Sequence, residues 1–99
     1  MAGRRKIVRD VGKALREGLL NAGVSASVRE RMGESIEAEA VGKQALRGAA
    51  SQFVMEHAKA SLCSRGYATT VTCEQQGDEV RYIFEVNRER VFVGIHLGF

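Results

Sequence analysis

No aromatic residue precedes Phe53, and the chain has neither tryptophan nor proline. Its aromatics are Phe53, Tyr67, Tyr82, Phe84, Phe92 and Phe99. The front half is instead built mostly of Ala, Gly, Glu, Arg, Val and Leu, a composition that suits helices. After Gly66 the chain turns to Val, Thr, Tyr, Phe and Ile, which suit strands. With no proline-rich linker, repeat or low-complexity segment, the 99 residues read as one domain, 1–99. A chain of this size buries roughly two-thirds of its unfolded surface, enough for one core.

Cysteine is scarce too. Cys63 and Cys73 alone do not make the dense disulfide framework of a small secreted domain, so both read as reduced thiols, a single bridge between them being the alternative. No apolar run approaches the ~20 residues of a membrane span. The basic start MAGRRKIVRD is not followed by the apolar stretch of a secretory signal. The expected address is therefore the cytoplasm, with no membrane partner. Hydrophobic content of 44% and charged content of 27% are those of a folded chain.

Net charge is +3, but it is unevenly spread. Residues 1–33 hold eight basic and three acidic side chains, residues 34–66 four of each, and residues 67–99 three basic and five acidic. The positive charge thus gathers at the front, which favours acidic partners: phosphate backbones or carboxylate-rich surfaces.

Periodicity predicts a first helix from Arg5 to Asn21. Ile7, Val8, Val11, Ala14, Leu15, Gly18, Leu19 and Ala22 fall on one apolar arc. Arg5, Lys6, Arg9, Lys13 and Arg16 fall on the opposite one. Asp10 and Glu17 sit at its edge, within ion-pair spacing of Lys6 and Lys13, and Asn21-Ala22-Gly23 marks a stop. Ser27-x-x-Glu30 matches a capping box, after which a helical pattern runs from Val28 to about Ser64. Val28, Met32, Ile36 and Ala40 make one stripe of it. Leu46, Ala49, Ala50, Phe53, His57 and Ala60 make another. Gly33, Gly42 and Gly48 interrupt this long segment, so a break near Gly33 or Gly42 is expected. Glu39 and Lys43 read as an i,i+4 pair across it, and Ser64-Arg65-Gly66 ends it.

Three strands follow, about Ala68–Gln75, Glu79–Val86 and Arg90–Leu97, joined by tight turns at Gln76-Gly77-Asp78 and Asn87-Arg88-Glu89. Alternation sends Val71, Cys73, Val80, Tyr82, Phe84, Val86, Val91, Val93, Ile95 and Leu97 to the core, and Arg81, Ile83, Arg90, Phe92 and His96 outward. The expected fold is α+β: two N-terminal helices, three if the long one breaks, packed on a C-terminal three-stranded antiparallel meander.

The leading candidate site is the basic helix, Arg4, Arg5, Lys6, Arg9, Lys13 and Arg16, as a docking face for an acidic protein surface or nucleic acid. A solvated helix face is the plain alternative. No aromatic is interleaved with these cations, which argues against a base-stacking platform. The second candidate is the outer sheet face, where Ile83 and Phe92, with Arg81 and Arg90, would form an interface or a homodimer seam.

Other constellations point nowhere. His57, Cys63, Cys73 and His96 lack the paired short gaps of structural zinc, so no metal is expected. Gly42-Lys43-Gln44 lacks the second glycine, the Ser/Thr and the preceding strand of a phosphate loop. Glu34, Glu37 and Glu39 read as a solvated acidic face. No cofactor, catalytic residue or small-molecule substrate is inferred.

The order of two helices before a meander resembles that of small ribonuclease toxins of toxin–antitoxin systems, without their leading strand or their dense cationic sheet. The resemblance implies RNA cleavage from the sheet, with Arg81, Tyr82, Arg90 and His96 in the roles. The reading adopted is a small non-catalytic binding module, of the regulator or inhibitor kind, docking through its basic helix. The ribonuclease toxin and a structural homo-oligomer are the alternatives.

Overall fold

The computed structural model describes residues 3–41 and 49–98. Helix α1 spans Arg4–Asn21, strands β1 and β2 span Ala26–Arg31 and Ser35–Val41, helix α2 spans Ala49–Ser64, and strands β3, β4 and β5 span Thr69–Gln76, Glu79–Val86 and Glu89–Gly98. The five strands form one sheet in the order β1-β2-β5-β4-β3. Neighbours are antiparallel except β2 and β5, which run parallel. Both helices cover one face, α1 over β1, β2 and β5, and α2 over β3.

This corrects the expected three-stranded sheet. The C-terminal strands do pair in sequence order, but they make up only part of a mixed sheet. The segment expected to be helical from Val28 contains a β-hairpin instead. Ser27 is therefore no helix cap; it lies in β1 opposite Glu39. The hairpin turns through Met32 and Gly33, both at positive φ (50° and 71°), closed by the Glu34 amide donating to the Arg31 carbonyl. In β2 the apolar residues alternate: Ile36, Ala38 and Ala40 are buried, while Glu37 and Glu39 lie on the other face. β2 becomes a strand because β5 receives it, with Ile36 beside Val93, Ala38 beside Ile95 and Ala40 beside Leu97. Those partners are more than fifty residues away, and that long-range pairing overrides the local preference of Ala, Glu and Met for helix.

The two helices end alike. The Val24 amide donates to Leu19 O and Gly23 to Leu20 O, with Gly23 at φ 73°. Tyr67 donates to Leu62 O and Gly66 to Cys63 O, with Gly66 at φ 90°. Each is a Schellman motif with glycine in the left-handed position, and each buries an apolar pair, Val24 with Leu19 and Tyr67 with Leu62.

The apolar arc of α1 is buried as its periodicity implies, from Ile7 through Leu19. On α2 the buried stripe is Ser51, Val54, Ala58 and Leu62. The stripe through Phe53, His57 and Ala60 is therefore one residue out of phase: Phe53 is exposed and stacks on half-buried His57 at 6.1 Å. Ala and Ser make up nearly half of α2 and Phe53 lies outside its buried stripe, which leaves its phase weakly marked. Leu46 and Gly42-Lys43-Gln44 lie outside the described residues, as does the Lys43 partner expected for Glu39.

Candidate functional site

Six cations are expected on α1, and the fold gives them different jobs. Arg4 is a clamp. Its Nη1 donates to Glu89 Oε2 at 3.0 Å, and its Nη2 to the carbonyls of Glu34 and Arg90, each at 3.0 Å. It ties the start of the helix to the β1–β2 turn and to β5, so it is not free to dock. Arg5 lies over Gly33; a methyl group there would meet Arg5 Cγ at 3.1 Å. Lys6, Arg9 and Lys13 are exposed, and none forms an ion pair among the described residues. Arg16 reaches across to the edge of the sheet, where its Nη2 lies 3.4 Å from the Val28 carbonyl.

The acids of α1 do not pair with Lys6 and Lys13 as the spacing suggests. Both turn toward the end of α2. Tyr67 donates to Asp10 Oδ2 at 2.6 Å, and Arg65 lies 3.6 Å from Asp10 and 3.8 Å from Glu17. Ser61 donates to Glu17 at 3.1 Å. The Asp10 hydrogen bond, then burial, then the Asp10 charge push the Tyr67 phenol above its usual value, against the Arg65 charge. The helix thus separates much of its charge: Asp10 and Glu17 toward α2, and Arg9, Lys13 and Arg16 toward β1.

Beside β1 the cations border a groove. Arg9, Gly12, Lys13 and Arg16 form one wall, and Val28, Glu30 and Ile36 the other, around about 210 Å³. Gly12 admits the Ile36 side chain; a methyl group there would touch Ile36 Cδ1 at 3.4 Å. A second hollow of about 280 Å³ continues past Arg16 and Val28 to Leu19, Leu20, Val24, Ser25 and Ala26. Leu20 is 75% exposed at its rim. Among the described residues β1 has a partner on one side only, so the groove runs along a strand edge left free by them. Sequence reasoning missed Glu30, which brings an acid to the cationic arc, and it missed Val28 and Leu20. The signal was the alternation of 26–31 together with Gly33, a pattern hidden by its helix-forming composition.

The second candidate, the uncovered sheet face, also takes shape. Ile83 lies directly opposite Phe92, which is 51% exposed. Around them Ser35, Glu37, Glu74, Glu79, Arg81, Gly94 and His96 enclose a shallow depression of about 340 Å³. Glu79 leans over Gly94, where a methyl group would stand 3.1 Å from its Oε1. Arg81 Nε donates to that same oxygen at 3.0 Å. This hydrogen bond and the charges of Arg81 and His96 hold the Glu79 carboxyl below its usual range, against the effect of burial. Arg90 pairs with Glu85 at 3.1 Å. Neither arginine is a free cation.

Tyr82 lies on the opposite, buried face. Its hydroxyl donates to the Ser51 carbonyl at 3.1 Å and lies 3.1 Å from Ser51 Oγ, which in turn sits 3.1 Å from Cys73 Sγ. Burial pushes the Tyr82 phenol up to about 12, against the Ser51 hydrogen bond. Arg81, Arg90 and His96 share the uncovered face, whereas Tyr82 is not brought to them.

No family model matches the chain. Nor does any curated protein or solved structure match it significantly. Among the described residues, no group of three or more His, Cys, Asp or Glu is placed to hold a metal ion, and no helix is long and apolar enough to cross a membrane. Glu34, Glu37 and Glu39 belong to the hairpin rather than a helix, and Glu37 pairs with Arg31 at 2.9 Å. Cys63 and Cys73 are free thiols, both exposed.

Proposed function

We propose that this protein is a non-catalytic binding module that docks an acidic partner on Lys6, Arg9, Lys13 and Arg16 of α1. One observation carries this reading. Both acids of the helix are drawn to α2, while Arg9, Lys13 and Arg16 border β1. From Lys6 to Arg16 the row rises ~15 Å along the helix, long enough to meet several anionic groups. Arg4 belongs to the scaffold and is left out of the docking row. The exposed free thiols suit a reducing compartment such as the cytoplasm.

The ribonuclease reading draws less support: its two arginines are each paired with a carboxylate, and Tyr82 is on the wrong face. The homo-oligomer reading keeps one supporting observation, the exposed Phe92 beside Ile83.

The test uses two labelled polyanions, a 20-base-pair DNA duplex and a poly-glutamate peptide. The wild-type protein binds at least one of them, with affinity falling steeply as salt rises. Reversing Arg9, Lys13 and Arg16 to Glu weakens that binding about 100-fold or more. Binding of neither polyanion overturns the proposal, as does a reversed variant that binds unchanged.

A further inference from the structure

The free edge of β1 has a partner written into its surroundings. We propose that β1 accepts an extended acidic peptide segment as a sixth strand, its carboxylates seated under Arg16 and Lys13. This rests on the docking reading above and narrows its partner to an extended protein segment.

Four observations converge. First, β1 ends the sheet and pairs with β2 without interruption from Ala26 to Arg31, so its outer main-chain groups present a regular ladder. Second, the Val28 carbonyl already accepts from Arg16 Nη2, at 3.4 Å. An edge carbonyl thus faces the groove. By alternation, the main-chain groups of Ala26, Val28 and Glu30 point outward, while their side chains face α1. Residues of an added strand opposite these three also face α1, beneath its cations.

Third, the spacings are of similar size. Same-face residues of a strand repeat every ~6.7 Å. Arg9, Lys13 and Arg16 are separated by ~6 and ~4.5 Å along the helix. Same-face side chains of an added strand therefore come within reach of the long Lys13 and Arg16 side chains. Fourth, the groove is not purely charged. Beyond Arg16 it opens against Leu19, Leu20, Val24 and Ala26, with Leu20 75% exposed. A phosphate backbone gains nothing from that wall or from the strand edge, whereas a peptide uses both.

The geometry also sets a pattern. A carboxylate opposite Val28 lies between Lys13 and Arg16. An apolar side chain opposite Ala26 packs on Leu20. Glu30 bars an acid directly opposite itself, because like charges facing across a strand pair repel. The other sheet edge offers less charge: β3 carries one charged residue, Glu74, and α2 over it carries one Lys and one Glu, Lys59 and Glu56. Strand addition is an established mode of peptide capture, with the main chain giving affinity and alternate side chains giving choice.

The probe is the blocked peptide acetyl-Glu-Thr-Thr-Glu-Thr-Val-Glu-amide, which paired antiparallel sets its second, fourth and sixth residues (Thr, Glu and Val) opposite Glu30, Val28 and Ala26. Its control is the same peptide N-methylated at alternate residues, which keeps the charge and blocks strand pairing. A DNA duplex is the third arm. Amide exchange of the ¹⁵N-labelled protein is followed along β1. The unmodified peptide is expected to slow exchange of the Ala26, Val28 and Glu30 amides. It should bind at least tenfold tighter than its N-methylated form, and Lys13→Glu should weaken it at least tenfold. Equal binding of the two peptides overturns strand addition while leaving the cationic docking face intact. Binding of the duplex but not the peptide overturns the peptide partner in favour of phosphate. Failure of all three probes overturns both proposals together.

Discussion

Asp10 is the residue on which the helix pair turns. It is buried on α1, yet it is an acid, and it is kept there by the Tyr67 hydroxyl and the nearby Arg65 guanidinium. Removing the hydroxyl with Tyr67→Phe leaves a buried carboxylate with one partner fewer. Urea unfolding of that variant should show a loss of about 1–2 kcal/mol. The same chemistry gives a pH signature. Tyr67 and Tyr82 both titrate higher in the folded protein than in the unfolded chain, Tyr82 at about 12. The stability they contribute is complete below pH 10, the ordinary tyrosine value, and is lost as pH rises through the folded values. The urea midpoint should therefore fall as pH rises from about 10 toward about 12, and less so in Tyr82→Phe. Single-residue roles of this kind were hard to read in the sequence. The spacing of Asp10 and Glu17 from Lys6 and Lys13 is right for ion pairs. Which neighbours an acid takes depends on α2, and no local pattern reports where α2 lies.

At the scale of elements, the contact between α1 and α2 depends on a missing side chain. A methyl group on Gly18 would stand 3.0 Å from the Val54 carbonyl oxygen and 3.3 Å from Val54 Cγ1. On Gly12 it would meet only Ile36 Cδ1, at 3.4 Å. Alanine adds up to about 1 kcal/mol of helix preference at either site. At Gly18 the crowding of backbone against backbone exceeds that gain, since overpacking costs about 1–3 kcal/mol. Thermal unfolding should rank Gly12→Ala at or above the parent and Gly18→Ala below it. Helix α1 and strands β4 and β5 were legible because their periods are clean and their turns carry glycine or asparagine. β3 was legible from its β-branched residues, but as an edge strand it leaves Val71 half-buried and Cys73 exposed, where alternation sends both to the core. The β1–β2 hairpin was not. Val28, Met32, Ile36 and Ala40 repeat every four residues, which fits a helix, while Ile36, Ala38 and Ala40 repeat every two, which fits a strand. Alanine and glutamate weighted the first reading, and β5 decides for the second.

For the whole molecule, the consequence of that hairpin is a change of setting for the basic helix. On a three-stranded sheet the cations of α1 would face solvent alone. On the five-stranded sheet they overlook a free strand edge with an apolar recess at one end. The cations themselves were plain from composition and periodicity; their neighbours Val28, Glu30 and Leu20 were not. The opposite face, with Phe92 and Ile83, stands on the far side of the sheet and serves as an internal control: Phe92→Ser should leave polyanion binding unchanged.

The central claim is that the α1 cations are a docking face. It is tested most directly by titrating the labelled poly-glutamate peptide and DNA duplex into the wild-type protein and the Arg9/Lys13/Arg16→Glu variant, each at two salt concentrations. The account predicts wild-type binding of at least one probe that weakens with salt and is about 100-fold weaker in the folded variant. Wild-type binding that the reversal leaves untouched, or no binding at low salt, would contradict it.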